Sequence, residues 1–264
     1  MNINSPALIL FVVFGHAGHV WAQSLLGSES AFAVLAATTV TNTGGTELQG
    51  DLGVYPGTAI TGFFGTNEND GPGTFTGTSY QGGAVAQQAQ ADALNTYNQL
   101  TDLTYTQDLT GLDLGTRTLS AGVYHFDSAA QLTGILTLDG PGLYVFQIGT
   151  TLTTAANSSI VLLNDANPYT DIFWRIGTSS TFGANTAFSG TLIADESHTL
   201  GTGTLVEGRV IALNGAVTLD NNIIAIPELG TLWLMGLVGL SLLVVRRFRT
   251  GENPPNKVTR ATAP

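Results

Sequence analysis

Short apolar triplets recur along the middle of the chain, separated by runs of Gly, Asn, Ser and Thr. They are Tyr124-His125-Phe126, Tyr144-Val145-Phe146, Ile172-Phe173-Trp174, Thr191-Leu192-Ile193 and Arg209-Val210-Ile211, and their last residues lie 20, 28, 19 and 18 apart. A second series, ending at Leu132, Leu152, Phe182, Leu200 and Leu219, steps by 20, 30, 18 and 19. Both series take their long step between the same two units, so one insertion explains both. Asn164 to Thr170 (NDANPYT) has the turn-rich composition for it. A unit of about 18 to 20 residues is too short for a propeller blade and has no helical period; it fits one coil of a β-solenoid.

One segment departs from this pattern. Ala84 to Leu103 lacks Gly and Pro, and its apolar positions Val85, Ala89, Ala93, Tyr97 and Leu100 recur at three- and four-residue steps. That spacing predicts an amphipathic helix over about 84–103, lying along the solenoid and covering one side of its core. The Gly-, Thr- and Asn-rich stretch Phe63 to Gly83 before it reads as a loop or cap, which an open solenoid end needs against edge pairing.

The two ends read as addresses. Ala7 to Phe14 is a short apolar run followed by Val20-Trp21-Ala22, the pattern of a secretory signal cut after Ala22, so residues 1–22 are expected to be removed. At the other end, Pro227-Glu228 precedes an apolar stretch, Leu229 to Val245, and then Arg246-Arg247-Phe248-Arg249. Residues 227–249 resemble a PEP-CTERM sorting signal, which implies a sorting protease as a partner. Leu229, however, stands where that signal's second proline sits, and a polar tail, 250–264, continues past the arginines. The alternative is a single-pass membrane anchor through a hydrophobic helix over 229–245. By the positive-inside rule either reading places the domain, 23–226, outside the inner membrane.

Charge narrows the function. Between Gln23 and Ile226 there are 17 acidic and three basic side chains, and the chain has no cysteine. Phosphate binding needs clustered Lys or Arg, so nucleic acid is not a partner. Without disulfides, stability has to come from packing and backbone hydrogen bonds, which suits stacked coils.

The order of the pieces carries a resemblance. The phrases FAVLA, TVTNTG, GDLGV, PGTAITGF, DLTG, QIGTTLTTA and NGAVTLDNN, spread over Ser30 to Ile226, resemble the bacterial and fungal ice-binding protein family. The resemblance implies a mainly β fold: a right-handed, triangular and discontinuous β-solenoid with one long helix packed alongside. Its N-terminal strands join the C-terminal coils out of sequence order. It also implies an ice-binding face with a T-A/G-x-T/N pattern. Thr58-Ala59-Ile60-Thr61 and Thr154-Ala155-Ala156-Asn157 fit that pattern, while Thr202 to Leu205 and Thr133 to Leu136 fit all but its last position. In the coil between, Thr186 stands in. The candidate face is therefore Thr58, Ala59, Thr61, Thr133, Thr154, Ala155, Asn157, Thr186, Thr202 and Thr204. Strand alternation leaves a second set open, Thr151, Thr153, Thr181, Thr199 and Thr218, because the choice depends on where each corner falls.

Threonine suits such a surface physically. Its hydroxyl bonds water, its methyl restrains neighbouring water, and its stiff χ1 leaves few rotamers to lose. The expected partner is ice or ordered water. A structural or adhesive role at the cell surface on the same scaffold is the alternative, since fold alone does not fix function.

Catalytic and metal sites are not expected. His125 and His198 read as solvated residues, with no nucleophile motif beside them. Asp195 and Glu196 are adjacent and would face opposite ways on a strand, unlike a paired-carboxylate site. The loop Asn67-Glu68-Asn69-Asp70-Gly71 offers oxygen ligands but lacks the spacing and distal Glu of a calcium loop. No cofactor is implied.

Overall fold

The structure, a computed structural model, describes residues 25–66 and 71–226. The expected leader, the tail from Pro227 onward and Asn67 to Asp70 of the oxygen-rich loop lie outside the described residues. No helix among the described residues is long and apolar enough to cross a membrane.

The strands stack, all parallel, into three ladders. The first holds β8 (Gln107–Asp108), β10 (Gly122–Phe126), β13 (Tyr144–Ile148), β16 (Ile172–Ile176), β18 (Ala187–Ala194) and β20 (Leu205–Ala212). It then continues through β1 (Phe32–Ala36), β4 (Asp51–Val54) and β7 (Ser79–Gln81). The second runs through β9 (Thr118–Leu119), β12 (Ile135–Asp139), β15 (Ser159–Leu163), the early halves of β18 and β20, β22 (Ile223–Ala225), β3 (Glu47–Gln49) and β6 (Thr74–Phe75). The third is a separate seven-stranded sheet of β11 (Ala130–Leu132), β14 (Leu152–Thr154), β17 (Ser180–Phe182), β19 (His198–Leu200), β21 (Val217–Leu219), β2 (Thr39–Asn42) and β5 (Ala59–Thr61).

Every ladder joins the first strands of the chain to its last coils: β1 beside β20, β2 beside β21 and β3 beside β22. The solenoid is thus mainly β, and discontinuous in sequence.

The register corrects the expected rows. Tyr124, Phe146, Trp174, Leu192 and Val210 align in the first ladder, at steps of 22, 28, 18 and 18. In the third, Leu132, Thr154, Phe182 and Leu200 align, so Thr154 rather than Leu152 belongs to that row. A buried threonine breaks the apolar pattern there, which hid the true step. The 28-residue step does fall across the connection holding Asn164 to Thr170.

Aligned rows let aromatic rings stack along the core. Ring centroids lie 5.3 Å apart for Tyr124 and Phe146 and 3.8 Å apart for Phe146 and Trp174. Trp174 also donates Nε1–H to the Ser189 carbonyl at 3.0 Å, so its one polar atom is satisfied while buried.

Helix α1 (Gly83–Asp102) covers the outer side of the first ladder. Ala89, Ala93, Tyr97 and Leu100 pack with Leu35, Val145, Phe173, Ile193 and Ile211. The expected Val85 is exposed and Ala86 takes its place, one residue along the helix. Gln147 donates to the carbonyls of Leu100 and Leu103 at 2.7 and 2.8 Å, satisfying groups that a helix end leaves orphaned. At the N-terminal side Thr96 bonds buried Glu29, and the Arg209 guanidinium donates to the Ser30 carbonyl at 2.9 Å. Of the stretch Phe63 to Gly83, read as a loop or cap, β6 and β7 extend two ladders by a rung and so cap them.

Removing the largest ring of the aromatic stack leaves a cavity that stacked coils collapse into poorly. Trp174→Ala is expected to lower unfolding free energy by about 3–5 kcal/mol, read from chemical denaturation.

Candidate functional site

In the third ladder the middle residue of β11, β14, β17, β19 and β21 points outward between two buried ones, and in β2 and β5 the outward positions are Thr39 and Thr41, and Ala59 and Thr61. The register aligns Gln131, Thr153, Thr181, Thr199, Thr218, Thr41 and Thr61. Six threonines therefore form one unbroken column across six neighbouring strands, at about 4.8 Å per rung. Being β-branched, each favours an extended backbone and a fixed χ1, so the same residue builds the strand and orders its surface.

Beside this column, two residues back along each strand, stand Ala129, Thr151, Ser179, Ser197, Ala216, Thr39 and Ala59. They are Ala, Ser or Thr, and none carries a charge. Charged groups stand around the rim: Asp113 pairs with Gln131 at one end of the column, Glu196 directly precedes Ser197, and Asp220 follows β21.

The ten residues expected to form the face divide. Ala59 and Thr61 lie on it, as the outermost rung. Thr133 and Ala155 sit at its edge, just past β11 and β14, while Thr58 is exposed in the turn before β5. Asn157 and Thr202 are exposed at the corner leading to the second ladder, where Thr202 bonds Asp220.

Thr154, Thr186 and Thr204 are a correction. They are 3%, 1% and 0% exposed, so no external surface reaches them. Thr154 and Thr186 hydroxyls bond each other at 2.9 Å, and Thr186 and Thr204 donate to the Gly183 and Gly201 carbonyls at 2.7 and 2.8 Å.

The physical reason lies in the corner. Thr116, Gly134, Asn157, Asn185, Gly203 and Asn221 all have left-handed backbone, once per coil. Asn and Gly tolerate that region best. At 133–136, 154–157 and 202–205 the T-A/G-x-T/N pattern thus marks where the chain turns, while Thr58 to Thr61 leads into β5 on the face. Sequence reasoning left Thr153, Thr181, Thr199 and Thr218 as an open alternative and missed Thr41 and Gln131. The signal was a threonine at the centre of each triplet: LTT, STF, HTL, VTL and, in β2, VTN.

Two likenesses decide the family. The model of a family described as Ice-binding-like matches residues 34–225. An ice-binding protein from Nostoc sp. (strain HG1) is 44% identical, over 93% of this chain and 95% of its own length.

The chain belongs to the ice-binding protein family.

Ice-binding protein 1 of Shewanella frigidimarina is 33% identical over 75% of this chain, which spans only 25% of that longer protein. Among solved structures of the family, an ice-binding protein of the Antarctic ascomycete Antarctomyces psychrotrophicus superposes with a TM-score of 0.71. It is 39% identical and covers 76% of this chain and 97% of its own.

Both expected surface histidines are placed differently. His125, on β10, is partly buried, stacks on Tyr105 at 4.8 Å and lies 2.9 Å from Asp127. His198 is fully buried, because alternation on β19 turns it inward beneath the threonines. Its Nε2 lies 2.8 Å from the Ile211 carbonyl, which only accepts, so Nε2 carries the proton and Nδ1 accepts from Ser180 Oγ at 2.6 Å. Burial, partly opposed by the Ile211 carbonyl, pulls its pKa down to about 4.

Folded His198 therefore stays neutral where the unfolded chain, with a pKa of 6.5, already binds a proton. Its contribution is complete above pH 6.5 and is lost as pH falls toward 4, a difference of about 3 kcal/mol. Urea titrations across this window should show that decline, and His198→Phe should remove most of it.

Proposed function

We propose that this protein binds ice through the outer side of its third ladder, with Thr41, Thr61, Thr153, Thr181, Thr199 and Thr218 as the contact column. The observation that carries the reading is the in-register run of six uncharged, χ1-restricted threonines beside a second row of Ala, Ser and Thr. Rung spacing is close to an oxygen spacing in ice, and water can be held between the hydroxyls and methyls of the two rows. Water already ordered on the face joins the crystal at little further entropic cost. Of the residues first expected, Ala59 and Thr61 belong to this surface, Thr133 and Ala155 border it, and Thr58, Asn157 and Thr202 flank it.

The solenoid is read as right-handed, the hand that parallel crossover connections take. The protein is exported through its leader and held at the cell envelope by the apolar segment 229–245, unless a sorting protease removes the tail. No reaction is assigned to it: the Ser180–His198 pair is buried where no substrate reaches.

The test is direct. Purified protein should shape ice crystals and inhibit recrystallisation, whereas unaltered crystals at high concentration would defeat the reading. Thr181→Tyr and Thr199→Tyr put bulk in the centre of the column and should each raise the protein needed by roughly tenfold or more. Thr118→Tyr, on an outer strand of the second ladder, should change nothing. Equal activity in all three variants would assign the contact to another surface.

A further inference from the structure

The inward side of the third ladder carries Leu152, Val217, Val40 and Ile60, but its two central rungs break this apolar row. There Ser180 and His198 lie side by side, 1% and 0% exposed. Burying a hydroxyl and an imidazole costs solvation that only satisfied hydrogen bonds recover, and an apolar pair would fill a plain core as well. Both bonds are made. Ser180 reaches His198 at 2.6 Å, and His198 reaches the Ile211 carbonyl at 2.8 Å.

Those partners have a definite placement. Ser180 directly precedes Thr181, and His198 directly precedes Thr199, the second and third threonines of the column. Ile211 belongs to the first ladder and its side chain packs with helix α1. One imidazole thus ties two neighbouring rungs to each other and to a second wall of the solenoid. Backbone pairing fixes register but leaves twist, and sheets of many strands twist unless side-chain ladders or stacking restrain them. Directional bonds between inward side chains supply such a restraint; Leu and Val contacts do not.

We infer that Ser180 and His198 are positioning residues for the threonine column, holding Thr181 and Thr199 in one plane with their neighbours. The inference rests on the ice-binding reading above. Neither residue touches ice; each acts through the threonine that follows it.

The test compares purified wild type, Ser180→Ala, Ser180→Thr, His198→Phe and the Ser180→Ala/His198→Phe double variant, each verified as folded near 0 °C by circular dichroism. Ser180→Ala and His198→Phe should each need roughly tenfold more protein for the same recrystallisation inhibition. The double variant should be no worse than the worse single, because both remove one shared bond. Ser180→Thr keeps the hydroxyl and should stay close to wild type, which a purely volumetric role would not produce. A folded Ser180→Ala variant with wild-type activity overturns the inference, and so does a Ser180→Thr no better than Ser180→Ala. Should His198→Phe fail to fold, the smaller Ser180→Ala change decides alone. Wild type that leaves ice unaltered defeats the ice reading itself, whereas active wild type with indifferent variants defeats only the positioning role.

Discussion

Register between parallel coils governs everything else in this molecule. A threonine at the centre of one short strand is unremarkable, since it favours β structure anyway. Stacked in register with its counterparts in the next coils, it becomes part of a column with a fixed repeat. The same register stacks Tyr124, Phe146 and Trp174 inside. Core and surface therefore share one cause: a shift by one residue would turn every threonine inward and every ring outward.

The insertion of the first strands beside the last coils lengthens the column. β2 and β5 add Thr41 and Thr61 to the four threonines of the later coils. The helix has a complementary effect. By burying the outer side of the first ladder under α1, and by tying its end to Gln147 and Arg175, the fold commits that wall to stability. The second ladder stays open but carries Glu47, Asp139 and Glu207 among exposed Ile135, Val161 and Ile223, a mixed surface without a uniform row. Only the third wall is both open and regular.

Much of this was legible in the sequence. The stacked coils, the helix near 84–103, the 28-residue step and the closure of N-terminal strands onto C-terminal coils all correspond to ordered elements, although the first step is 22 residues rather than 20. What was not legible is the direction each threonine faces. Thr153 and Thr154 are neighbours of identical type, yet one is on the surface and the other is 3% exposed. Local composition does not separate them; the left-handed Asn157 that ends the turn does, by fixing where the strand stops. His198 was misread for the same reason. Beside Asp195, Glu196 and Ser197 it looks like a loop residue, but it opens a strand whose alternation points it into the core.

The central claim is that one wall of the solenoid, and no other, meets ice. Because the chain has no cysteine, a single one can be introduced on each wall (Thr181→Cys, Val161→Cys and Leu94→Cys, the last on the outer side of α1) and capped with a bulky polymer maleimide. Partition of each labelled protein into slowly growing ice is then measured. The account predicts that the label at position 181 excludes the protein from ice while labels at 161 and 94 leave incorporation intact. Undiminished incorporation with the label at 181, or exclusion by a label at 161 or 94 instead, would contradict it.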